Sequence, residues 1–149
     1  MYQKIQLRKK FLKLREKKYL EIDKKFFLPL LKLIRLKFNN KKIKIALYYP
    51  SNFELNVLKI LELNNIFAHN FLLPVIDNNN SMKFYPWEKN NILYVNKFGI
   101  LEPTKTLAKV PNLMIIPILA FDKDKFRLGY GKGFYDRYLN KYQKKFKNI

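Results

Sequence analysis

The sequence predicts an α/β fold: one domain over residues 1–149, built on a mostly parallel sheet flanked by helices. Three observations carry this. Apolar residues recur first at helical spacing and then in strand-like runs, and the two kinds of segment alternate along the chain. The run Leu113, Met114, Ile115, Ile116, Pro117, Ile118, Leu119 is apolar throughout and rich in β-branched residues, as expected of a buried parallel strand. The 149 residues, 48% of them hydrophobic, suit one packed core and are too apolar for a disordered chain.

The elements follow in order. A helix is expected over 3–20, with Leu7, Phe11 and Leu14 on one face and Arg8, Lys9, Lys10, Lys13 and Lys17 around the rest. A second helix is expected over 22–37, with Pro29 as a weak point near its start or a kink. Asn39 and Asn40 mark a turn. Residues 42–49 read as a strand that ends at Pro50, Ser51 and Asn52. Residues 54–63, with Leu55, Leu58, Ile60, Leu61 and Leu63, read as a helix stopped by Asn64 and Asn65. A strand over 66–76, a turn at 78–80 and two shorter strands over 82–87 and 92–98 follow. A last helix is expected over 134–146. There is no internal repeat.

Composition excludes several classes of function. Without cysteine there are no disulfides and no thiolate metal sites. With His69 as the single histidine, a multi-histidine metal site within one chain is excluded too. The N-terminus is basic with no apolar stretch behind it, so no signal peptide is expected. The run over 113–121 is too short to span a bilayer and contains Pro117. The expectation is a soluble cytoplasmic protein without a membrane partner. The net charge of +20 points to polyanions in principle. The lysines are scattered, however, and abundant lysine and asparagine are what an A+T-rich genome produces by drift. A basic RNA-binding protein is therefore the lesser alternative.

Three of the four glycines, Gly129, Gly131 and Gly133, fall within five residues, between an apolar run and a helix. Glycines there let backbone N–H groups converge on an anion, with no Cβ in the way. The helix adds its positive N-terminal end. Arg127 and Lys132 supply mobile positive charge for phosphate oxygens, and Asp136 can hold a magnesium ion beside them. The spacing is neither a dinucleotide fingerprint nor a Walker A loop. From spacing alone, a tight turn into a helix explains it equally well.

The wording of the segment goes further. Arg127, Leu128, Gly129, Tyr130, Gly131, Lys132, Gly133, Phe134, Tyr135, Asp136, Arg137, Tyr138, Leu139 resembles the signature of 5-formyltetrahydrofolate cyclo-ligases (methenyltetrahydrofolate synthetases). Phe121 and Asp122 upstream fit as well. So do Lys4 to Arg8 on the first helix, the stretch over 48–54, Leu73 with Pro74, and Gly99 to Pro103. The likeness runs over nearly the whole chain.

That resemblance implies conversion of 5-formyltetrahydrofolate and ATP, with Mg2+, to 5,10-methenyltetrahydrofolate, ADP and phosphate. It implies ATP contacts from Lys4 and Arg8. It makes Arg127 through Tyr135 (Leu128, Gly129, Tyr130, Gly131, Lys132, Gly133 and Phe134 between them) the phosphate loop, with Arg127 and Lys132 catalytic. It gives magnesium to Asp136, and it places Tyr49, Glu54, Tyr130 and Phe134 against the folate. The partners are then small molecules and not nucleic acid, and a monomer is expected, with a dimer as alternative. His69 is not required and reads as a surface or core residue.

Plainer readings stand beside these. Lys4 and Arg8 lie on a helix crowded with lysine, Glu54 suits the first turn of a helix, and Glu102 with Pro103 suits a loop. The chain also departs from the family. The resemblance implies further strands after the last helix and an acidic residue near the end that helps bind metal. Their absence makes this a C-terminally shortened version, with an open strand edge and a weaker magnesium site expected. Asn56 sits where the family usually has threonine. A minimal active enzyme and a decayed nucleotide or folate binder both fit.

Overall fold

The structure, a computed structural model, describes residues 2–63, 70–77, 79 and 81–143. Its centre is a four-stranded sheet whose strands lie side by side in the order Met82–Pro86, Asn70–Ile76, Lys44–Ala46, Leu113–Met114. Strand β1 (Lys44–Ala46) pairs in parallel with β2 (Asn70–Ile76) on one side and with β6 (Leu113–Met114) on the other. Strand β3 (Met82–Pro86) runs antiparallel to β2. Two of the three pairings are parallel, so the mostly parallel sheet stands.

Strand alternation divides the core. Ile45, Leu47, Phe71 and Leu73 point to one face, where they meet Phe27, Leu31, Ile34, Val57 and Ile60. Ala46, Leu72, Met82 and Phe84 point to the other and meet Tyr138 of α3 (Phe134–Tyr142). The sheet is thus covered on both sides, as parallel strands require. Each large side chain fully buried here contributes about 1.5–3 kcal/mol.

The predicted helix over 22–37 divides in two. Asp23 accepts a bond from the Lys25 N–H and caps a 3-10 turn, Lys24–Phe27. Helix α2 (Leu28–Phe38) then starts with Pro29 in its first turn, where the missing N–H costs nothing, so Pro29 begins the helix and does not bend it. Asn39, left-handed at φ 49°, ends it.

The helix expected over 54–63 is a 3-10 helix, Val57–Glu62, capped by the Asn56 side chain on the Leu58 N–H. At three residues per turn, Val57, Ile60 and Leu63 stack on one face, and all three are buried. Asparagine, like threonine, is a good cap, which accounts for residue 56.

The strand expected over 113–119 is paired only at Leu113–Met114. Pro117 cannot donate to a ladder, and the chain leaves the sheet for a hairpin of β7 (Ala120–Phe121) and β8 (Arg127–Leu128) that sequence reasoning missed. Asp122 closes that hairpin by accepting from the N–H groups of Asp124 and Phe126, while Lys125 takes φ 65°. A second ribbon joins β4 (Leu93–Val95) to β5 (Leu101–Pro103), the latter also missed.

Helix α1 (Tyr2–Lys17) forms as expected but docks differently. It buries no residue, and Leu7 and Leu14 are exposed. The half-buried stripe is Arg8, Phe11, Leu12 and Arg15. Polar contacts, described below, replace the expected apolar ones. Helix α3 is described to Tyr142. His69, Asn64 with Asn65, Asn78, Asn80 and the tail over 144–149 lie outside the described residues. Among the described residues no helix is long and apolar enough to cross a membrane.

Candidate active site

A cleft of about 480 Å3 opens at the C-terminal ends of the parallel strands, where α/β sheets commonly place their ligands. The chain leaving β1 supplies Tyr48, Tyr49, Ser51 and Glu54; the chain leaving β6 supplies Pro117. Lys4 and Arg8 of α1 enter from the side, and the whole segment over 127–136 forms one wall. Every residue that the sequence nominated for ATP, folate or metal therefore lines one cleft. Grouping them does not assign their roles.

The hairpin delivers Arg127 and Leu128 to the cleft, and the glycines carry the chain from there into α3. Gly131 has φ 96° and Gly133 φ 68°, values that a side chain makes costly. A Cβ on Gly131 would sit 3.1 Å from the Arg8 guanidinium carbon, and one on Gly133 would sit 2.9 Å from an Arg137 nitrogen. Gly129 differs: a Cβ there would meet nothing within 4 Å. No contact among the described residues calls for glycine at 129, and the space beside it is open to the cleft. Gly133 is the N-cap of α3 and makes no side-chain capping bond, so the first-turn N–H groups have no side-chain cap.

The cations are distributed around this wall. Arg8 Nε donates to the Gly129 carbonyl at 2.9 Å. Arg127 forms an ion pair with Asp136. The Lys132 ammonium lies 5.4 Å from the centre of the Phe98 ring, and Phe98 packs 5.9 Å from Phe134. Phe98 is carried on the tip of the β4–β5 ribbon. There Asn96 Oδ1 accepts from the Phe98 and Ile100 N–H groups, and Glu102 accepts from the Asn96 amide and the Ile76 N–H. Glu102 thus shapes a loop, in keeping with the plainer reading of its motif.

The opposite wall is buried and polar. Glu54 is only 6% exposed. One of its oxygens accepts from the Ser51 N–H at 2.8 Å; the other accepts from the Tyr130 hydroxyl at 2.5 Å. Burial pushes its carboxyl above the ordinary 4.5, against the opposing pull of Tyr130, Ser51 and Arg15. Burial likewise raises the hydroxyls of Tyr48, Tyr130 and Tyr135, with Glu54 adding to each. The carboxylate lies ahead of the 3-10 turn, whose N-cap is Asn56, and its oxygens are taken by Ser51 and Tyr130.

Sequence reasoning missed Arg15, which donates to the Tyr130 hydroxyl at 2.5 Å and to the Ile118 carbonyl. The available signal was its place on one helical stripe with Lys4, Arg8 and Phe11. Asn96 and Phe98 were missed because ribbon tips have no periodicity.

Among the described residues no three histidine or carboxylate groups cluster as a metal cage. Asp136 is a single carboxylate with a side chain 73% exposed. A single exposed carboxylate fits magnesium that arrives on phosphates, since that ion keeps several waters and takes one or two carboxylates.

Fold and cleft together define an α/β protein with a glycine-and-cation wall facing a buried carboxylate. The sequence profile of the 5-formyltetrahydrofolate cyclo-ligase family matches residues 1–148, and the chain belongs to that family. It is 40% identical over 81 residues to a probable 5-formyltetrahydrofolate cyclo-ligase of Schizosaccharomyces pombe, covering 50% of this chain and 40% of that protein. It is 31% identical over 116 residues to the 5-formyltetrahydrofolate cyclo-ligase of Haemophilus influenzae, covering 68% of this chain and 58% of that one. The solved structure of the Aquifex aeolicus 5,10-methenyltetrahydrofolate synthetase superposes with a TM-score of 0.67 at 29% identity, over 92% of this chain and 72% of that one. The chain spans about half the length of the curated relatives it matches.

Proposed function

We propose that the protein catalyses the ATP-dependent cyclisation of 5-formyltetrahydrofolate to 5,10-methenyltetrahydrofolate, releasing ADP and phosphate. The observation that carries this reading is the meeting, in one cleft, of the glycine wall, the cations of α1 and the buried Glu54. The family's named relatives support the same chemistry.

In this reading Lys4, Arg8 and the backbone over 127–135 grip the triphosphate, with Gly129 leaving room for a phosphate where a Cβ would stand. Tyr49, Glu54, Tyr130 and Phe134 face the folate. The formyl oxygen attacks the γ-phosphorus, the bond to the ADP oxygen breaks, and ADP leaves. The second folate nitrogen then closes on the formyl carbon, the carbon–oxygen bond breaks, and phosphate departs with the nitrogen's proton lost. Such transfer needs alignment and charge neutralisation more than a strong base. Arg127 and Lys132 supply the positive charge. Asp136 would hold magnesium, which would supply further positive charge against the phosphates, and Arg127 would offer its guanidinium to the γ-phosphate. The reading keeps the expectation of a cytoplasmic protein that acts as a monomer, with a dimer as the alternative.

Purified protein given magnesium, ATP and 5-formyltetrahydrofolate is expected to develop the absorbance of methenyltetrahydrofolate with stoichiometric ADP. Folded protein at high concentration that makes no product overturns the reading. ATP binding without ADP release identifies a non-catalytic binder instead.

A further inference from the structure

We infer that Arg15 is a positioning residue, which orients the Glu54 carboxylate towards the folate through the Tyr130 hydroxyl. This rests on the folate reaction proposed above and adds a residue to it.

The argument begins with how α1 is held. It buries no side chain, yet Arg8 and Arg15, two turns apart, both reach the glycine wall. Arg8 takes the Gly129 carbonyl; Arg15 takes the next residue's hydroxyl. A second Arg15 bond, to the Ile118 carbonyl, fixes the plane of the guanidinium. Two bonds from one planar fork are what arginine can make and lysine cannot.

A hydroxyl has one proton. Because Arg15 donates to the Tyr130 oxygen, the Tyr130 proton is directed to Glu54, at 2.5 Å. The chain of bonds therefore has a sense: guanidinium to hydroxyl to carboxylate. The other Glu54 oxygen is taken by the Ser51 N–H at 2.8 Å and, at 3.3 Å, by the Ser51 hydroxyl. Both oxygens are held, so the carboxylate has one orientation.

What lies behind makes this orientation depend on Arg15. Arg15, Tyr48 and Glu54 also line a second cavity of about 380 Å3, whose remaining wall includes Phe27, Leu30, Val57 and Ile115. Against an apolar wall, a satisfied polar chain is stiff and a broken one is costly. Without Arg15 the Tyr130 hydroxyl is free to turn, and Glu54 loses both its directed donor and the countercharge that offsets its burial.

The consequence falls on one substrate. The triphosphate is gripped by Lys4, Arg8, Arg127, Lys132 and backbone, none of which passes through the Tyr130 hydroxyl. In steady-state kinetics on the full chain, Arg15→Ala is expected to raise the KM for 5-formyltetrahydrofolate about tenfold or more, the loss of one charge-assisted bond, and to change the KM for ATP less than about twofold. Tyr130→Phe reproduces the effect. Because the two side chains act in series, the double variant is no worse than the worse single one. Arg15→Lys falls between Arg15→Ala and the parent. Equal shifts in both KM values, or effects of Arg15→Ala and Tyr130→Phe that multiply, overturn the inference and leave Arg15 a tie for α1.

Should Arg15→Ala fail to fold, Tyr130→Phe decides alone by the same split. Should the parent protein show no turnover, the enzymatic reading fails. The inference is then judged by calorimetry with 5-formyltetrahydrofolate and with ATP, standing if only the folate affinity moves and falling if neither or both do.

Discussion

The segment over 127–136 and the turn over 51–54 face each other across one cleft, and different forces hold them. The first is half-buried to exposed, takes its shape from two glycines of positive φ, and carries its charges in an open ion pair between Arg127 and Asp136. The second is buried, and Glu54 is fixed by bonds from Ser51 and from Tyr130 across 76 residues of sequence. An exposed pair is weakly coupled and can exchange its partner for a phosphate. A buried carboxylate has no such freedom, because any orphaned charge there carries its full desolvation cost. The glycine wall is thus adaptable and the Glu54 wall is preset.

That contrast can be broken experimentally. The largest effect is expected from Arg127→Ala: loss of turnover by about 10²–10³-fold, as for one preorganised charge donor, with the melting curve retained. Near-parental turnover would show that the ion pair, and not the phosphate, is what Arg127 serves. Next comes Glu54→Gln, which should lower kcat/KM for the folate roughly 10–100-fold, the range of a charge-assisted bond.

The same variant sharpens the comparison through pH. The carboxyl of Glu54 is raised when folded, so the folded state holds its proton more tightly than the unfolded chain. The parent should therefore lose stability as pH rises from about the ordinary 4.5 towards the raised value. Glu54→Gln should lack that loss. Denaturant titrations from about pH 4 to about pH 8 measure it, and parallel curves for the two proteins would refute a preset, buried charge.

Smaller effects separate backbone shape from ligand space. Gly133→Ala should destabilise by about 1–2 kcal/mol, because its φ of 68° is left-handed and Arg137 must move. Gly129→Ala should leave the melting temperature unchanged and weaken ATP about tenfold, read by calorimetry. The reverse pattern would move the phosphate away from Gly129. The smallest effect lies outside the cleft. Lys105 and Lys83 beside Asp77 hold its carboxyl below the ordinary 3.8. Its contribution is present above that ordinary value, fades as pH falls through the lowered one, and is screened by salt. Asp77→Asn should cost little at neutral pH, measured as melting temperature at low and high salt.

The glycine wall was legible because it is local. Ten consecutive residues carry the glycines, the cations and Asp136, and a likeness in wording suffices to find them. The alternation within 42–49 and the apolar content of 66–76 likewise announced the two central strands, seen at Lys44–Ala46 and Asn70–Ile76. The face of α1 was misjudged because Leu7, Phe11 and Leu14 fit a helical stripe, while the docking stripe of Arg8, Phe11, Leu12 and Arg15 is half polar. Periodicity counts apolar residues and cannot see an arginine that docks by hydrogen bonds. The β7–β8 hairpin was missed for a similar reason: its strands have two residues each, and Asp122, rather than a pattern, closes it.

By itself, then, the sequence determined the α/β class, the family and the contents of the glycine wall. These follow from short-range patterns, in which neighbours along the chain remain neighbours in space. Only the tertiary structure decided that Arg15 meets Tyr130, that Tyr130 meets Glu54 and that Phe98 stands over Lys132. Those contacts join residues far apart in sequence, and their geometry is set by how β1, β6 and α1 pack, which no local pattern encodes.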